Sequence, residues 1–168
     1  DPMPQLPLAD IERLVGRAVD GWQTALRGES FLQLRYTPAS GRRETVADGF
    51  QVIKFRSERW CRPADGGGEP ICYDPAATAL TTLTYVRTPD DPETDGRITD
   101  ADIELNAVDD YFYDADAVAD PSSGDRVATD LWNTLSHELG HLLGLEELPS
   151  GLRAAGVRAR RERRRRDR

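Results

Sequence analysis

Apolar positions recur along this chain with two different periods. In "LADIERLVGRAVDGWQTA" at 8–25, Leu8, Ile11, Leu14, Val15, Ala18 and Trp22 fall three or four apart. That spacing predicts an amphipathic helix with one face against a core. The period then shortens to two. "FLQLRY" at 31–36 places Leu32, Leu34 and Tyr36 on one side, and "FQVIKF" at 50–55 and "LTTLTYV" at 80–86 are rich in β-branched and aromatic residues, so all three read as strands. "ITDADIELNAV" at 98–108 sets Ile103, Leu105 and Ala107 against Asp102, Glu104 and Asn106, which predicts a half-exposed strand at the edge of a sheet. "YFYD" at 111–114 reads as a short aromatic strand, and the polar "ADAVADPSSGDRVAT" reads as a loop. From about Asp130 the helical period returns: Leu131, Trp132, Leu135, Leu139, Leu142 and Leu143 cluster on one side of a wheel. No internal repeat is visible, and no apolar run approaches the length of a membrane span.

At 168 residues the chain fits one domain around one core. Its net charge of −8 hides an asymmetry: residues 1–150 hold 13 basic and 28 acidic side chains, whereas 151–168 hold nine Arg against Glu162 and Asp167. An acidic body with a basic tail is not the footprint of a specific nucleic-acid-binding domain, whose basic patch belongs on the fold. Like charge at that density repels itself and buries nothing, so the tail is expected to be disordered. It could still bind acidic polymers or fold back onto the acidic body. Arg outnumbers Lys 21 to 1, which reads as codon bias. The chain opens on "DPMPQLP", without an initiator Met or a visible signal peptide. Cys61 and Cys72 flank the Gly/Pro-rich "CRPADGGGEPIC". They are either a disulfide, contributing roughly 3 kcal/mol on the chain-entropy estimate, or two unrelated buried thiols. The disulfide reading favours an exported protein.

The second helix carries the chemistry. His137 and His141 are the only histidines in the chain, one turn apart on the side opposite the leucines, with Glu138 beside them. Two imidazoles at i and i+4 can reach one tetrahedral Zn²⁺, and the adjacent carboxylate can act as general base toward water activated by the metal. The alternative is a surface helix with two solvated histidines.

The stretch "HELGHLLGLEE" supplies His137, Glu138, His141 and Gly144 at the spacing H-E-x-x-H-x-x-G-x-x-H/D, and so resembles the metzincin clan of metallopeptidases. Gly144 can take the left-handed conformation that ends a helix and turns the chain back toward the metal. The position three residues later is Glu147, either a third ligand or a solvated residue past the helix end. Upstream, Ile98, Ala101, Asp102, Ile103 and Asn106 in "GRITDADIELNAVDDYF" resemble the edge-strand segment of matrixin-type, matrix-metalloproteinase-like, enzymes. That resemblance implies an α+β (α/β), zincin-like fold: a twisted mixed β-sheet with a backing helix and an active-site helix. It further implies a zinc-dependent endopeptidase with Glu138 as catalytic base and His137, His141 and Glu147 as metal ligands. Such an enzyme would be secreted and monomeric, act on protein or peptide substrates, and could carry structural Ca²⁺.

The pattern also departs from the family. Glu147 stands where the family has His or Asp, although His₂Glu zinc sites exist. The only methionine is Met3, so the Met-containing turn beneath the metal is missing, and 21 residues after Glu147 are too few for the lower half of a cleft. Residues 1–147 are therefore read as the upper subdomain of a matrixin-like domain lacking its first strand, cut short by a reading-frame change near Leu145, with 148–168 as the tail. Rival readings are an inactive metzincin remnant, an interaction protein acting through its Arg tail, and a calcium-binding module. The last draws on the EF-hand-like spacing of Asp91, Glu93, Asp95, Gly96, Ile98 and Asp102 in "DPETDGRITDAD".

Overall fold

A computed structural model describes residues 6–38, 41, 44–64, 68–119 and 121–146. The first helix, α1, spans Leu8–Ala25, as the spacing predicts, and buries Leu14, Val15, Ala18 and Val19. Seven strands follow among the described residues: β1 (Ile53–Arg56), β2 (Cys61–Arg62), β3 (Ile71–Cys72), β4 (Ala79–Tyr85), β5 (Ile98–Asn106), β6 (Asp110–Tyr113) and β7 (Val127–Asp130). The second helix, α2, spans Leu131–Leu142.

The main sheet has the order β1-β5-β4, with β1 parallel and β4 antiparallel to β5. Its odd-numbered face carries Phe55, Ile103 and Leu105, which form one core with the buried faces of α1 and α2 and with Phe112 of β6. Phe55 and Phe112 meet edge to face at 5.9 Å. Both helices therefore back one side of a mixed sheet, an α+β arrangement of zincin-like type.

The opposite face is polar yet buried, which corrects the reading of β5 as a half-exposed edge strand. β5 is the central strand, and it is buried from Asp100 to Asn106. The alternation of Asp102, Glu104 and Asn106 reflects internal pairing rather than solvent. Glu104 is 0% exposed and accepts from Arg56 Nε (2.7 Å), Arg62 Nε (3.0 Å) and the Tyr73 hydroxyl (3.0 Å). A carboxylate at that depth is tolerable only when fully paired. Asn106 donates to three oxygens, on Pro75, Ala77 and Asp109. Among the described residues the two edge positions belong to β1 and β4.

Segment 31–36 is not a strand. Its alternation gives Leu34 and Tyr36 the correct phase to pack on the core, but Phe31 is fully exposed and no strand among the described residues lies alongside. Leu34 N–H donates instead to Gln23 Oε1 of α1 at 2.6 Å. The loop at 115–129 ends in β7, which pairs in parallel with β6. Cys61 and Cys72 face each other across β2 and β3 and form a disulfide. The basic tail and Glu147 lie outside the described residues.

Candidate metal centre

The helix α2 starts after Asp130, which holds an extended conformation, and its leucines at 131, 135 and 139 are buried in the core. Burial of that stripe turns His137 and His141 outward and brings Glu138 against β4. The Nε2 atoms of the two histidines lie 3.1 Å apart. Together with a Glu138 carboxylate oxygen, the ligand atoms fall within 4.8 Å of one another. Among the described residues this is the only convergent group of three or more His, Cys, Asp or Glu side chains.

Past the helix the chain closes a complete Schellman turn. Gly144 adopts φ +82°; its N–H donates to His141 O (2.8 Å), and Leu145 N–H donates to Gly140 O (3.0 Å). The turn carries the Leu145 carbonyl onto His141 Nδ1 at 2.7 Å. A carbonyl only accepts, so Nδ1 carries a proton, and in the neutral ring Nε2 keeps the lone pair that faces His137.

This donor set fits a tetrahedral transition metal. Two nitrogens each about 2.0–2.1 Å from such an ion sit roughly 3.3 Å apart, close to the observed separation. A carbonyl on the remote ring nitrogen is the usual support of a metal-ligating histidine. Glu138 is 6% exposed, and its Oε2 accepts from Thr81 Oγ1 of β4 at 2.6 Å. The three side chains line a cleft of about 440 Å³ between α2 and β4, whose other wall includes Ala79, Thr81 and Leu83.

Among the described residues, no strand pairs with the outer side of that wall. Asn106 N–H donates to Thr78 O, and Ile103 and Ala107 donate to the β1 side at Val52 and Arg56. This phase turns residues 78, 80, 82 and 84 of the outer strand toward β5. The N–H and C=O groups of Ala79, Thr81 and Leu83 consequently point away from the sheet.

Among the described residues, the acidic loop between β4 and β5 does not bring three carboxylates together. Its flanks are strands, and its carboxylates cap its own turns: Asp91 accepts from Glu93 N–H and Thr94 Oγ1, and Asp95 accepts from Thr88 N–H. The structure brings together His137, Glu138 and His141, and Glu147 lies outside the described residues. Two participants escaped the sequence reading. Thr81 lies 57 positions from Glu138, and nothing in a strand's composition marks it. The Leu145 carbonyl was foreshadowed only by Gly144. No family model, curated protein or solved structure matches the chain.

Proposed function

We propose that the chain is a zinc-dependent endopeptidase of matrixin type. The observation that carries this reading is the convergence of two imidazole Nε2 atoms and one buried carboxylate on the floor of a cleft with an open strand edge. His137 and His141 would hold the metal, with Glu147 as the third ligand. When bound, zinc supplies a Lewis acid that lowers the pKa of water to about 7 and polarises a carbonyl. Glu138 receives the proton of the attacking water and passes it to the leaving amine. An extended peptide pairs with the free groups of Ala79, Thr81 and Leu83, adding a strand beside β4 and laying its scissile bond across the histidines. The matrixin assignment is supported by the Ile98–Asn106 pattern and by Gly144 at the helix end, and export is supported by the Cys61–Cys72 disulfide.

The test is hydrolysis of labelled casein by the zinc-loaded chain. The wild type should cleave, a chelator should abolish cleavage, and Glu138→Ala should retain zinc while losing about 10²–10⁴-fold in rate. Cleavage that survives Glu138→Ala, or that ignores the chelator, would contradict the reading.

A further inference from the structure

We propose that Thr81 is a positioning residue for Glu138, holding the carboxylate in its working place through its hydroxyl; the inference rests on the peptidase reading above. Thr81 Oγ1 is 2.6 Å from Glu138 Oε2 and 3.2 Å from the Glu138 backbone oxygen. A hydroxyl has one proton, and the shorter, charge-assisted bond to the carboxylate takes the larger share. The second contact ties the same hydroxyl to the main chain of the same residue, so both ends of the Glu138 side chain are referenced to one atom of β4.

That matters because a glutamate has several side-chain torsions to fix. A base displaced by about 1 Å loses on the order of 10²-fold in rate. Thr81 is suited to the task, because β-branching stiffens its χ1 and its strand is registered on the central strand through the Thr81–Ile103 pair. The same residue turns its N–H and C=O to the free edge, where a peptide strand would pair. One residue therefore touches the docked chain through its backbone and the proton acceptor through its hydroxyl, which fixes the distance between them.

The test uses the full chain, loaded with zinc, and a fluorogenic peptide spanning a site that the wild type cleaves in labelled casein. Thr81→Val keeps the shape and removes the hydroxyl. It should lower kcat roughly 10–100-fold, with KM within about twofold and zinc content unchanged, whereas Thr81→Ser should recover most of kcat. A kcat unchanged in Thr81→Val, equal losses in the Val and Ser variants, or a loss that follows loss of zinc would overturn the proposal. A second readout needs no turnover. In crystals of the metal-free chain, Glu138 should occupy one rotamer in the wild type and Thr81→Ser and several in Thr81→Val. A single rotamer in Thr81→Val would overturn the proposal as well. Should the wild type cleave nothing, the peptidase reading fails, while the crystallographic comparison still decides what Thr81 does.

Discussion

The imidazole of His141 takes its tautomer from the chain that leaves its own helix. Leu145 O reaches Nδ1 only because Gly144 turns at φ +82°, a region that costs a side chain about 1 kcal/mol. Gly144→Ala should therefore act twice, lowering stability by about 1 kcal/mol and loosening the carbonyl from the ring. The expected outcome is zinc affinity weaker by about 10–100-fold in a chelator competition titration; an unchanged affinity would show that the turn does not orient His141. At this scale much of the site was legible. Two histidines and a glutamate within five residues need only a helix to bring them together, and the glycine three positions on announces the turn. Thr81 was not legible, because its role comes from a strand pairing that places residues 57 apart in contact.

Helix α2 is held in place by α1 through a close approach at Gly140. Trp22 Nε1 donates to Ser136 O at 2.7 Å, and a Cβ on Gly140 would lie 3.2 Å from Trp22 Cζ2. Alanine favours an isolated helix by up to about 1 kcal/mol over glycine, but here the indole is pinned by its hydrogen bond and cannot retreat cheaply. Overpacking costs about 1–3 kcal/mol, so Gly140→Ala should lower the denaturation midpoint, with a less than additive loss when combined with Trp22→Leu. A more stable Gly140→Ala protein would mean that propensity wins over the contact. Both helices could be read from the 3.6-residue period, since each buries one apolar stripe. The sheet could not be ordered the same way. β5 alternates apolar with acidic residues as an edge strand would, yet its acidic side is covered by Arg56, Arg62 and Tyr73, partners that periodicity cannot reveal. The segment at 31–36 has the right phase and no neighbour, and alternation alone does not supply one.

For the molecule as a whole, the polar underside of the sheet sets a dependence on pH. Burial is the main cause that pushes the Asp102 carboxyl up to about 6; the nearby charges of Asp100 and Glu104 add to it, while the bond from Val52 N–H and the charge of Arg62 oppose it. A carboxyl raised on folding contributes its stability at acid pH and loses it as pH rises through the folded value. Asp102→Asn, which can keep the bond from Val52, should therefore raise stability at pH 8 by about 1–3 kcal/mol, with the gain vanishing near pH 4. Equal effects at both pH values would place the cost elsewhere than in ionisation. Helix α2 alone brings the two imidazoles together, while the outer strand holds Glu138 and the turn after α2 holds His141, so zinc binding is tested on the whole folded chain. The most direct test of zinc binding is the metal content of the folded chain after equilibration with zinc and removal of excess. The account predicts one zinc per chain in the wild type and in Glu138→Ala, and none retained in His137→Ala or His141→Ala. A folded wild-type chain that retains no zinc, or histidine variants that retain it fully, would contradict the account.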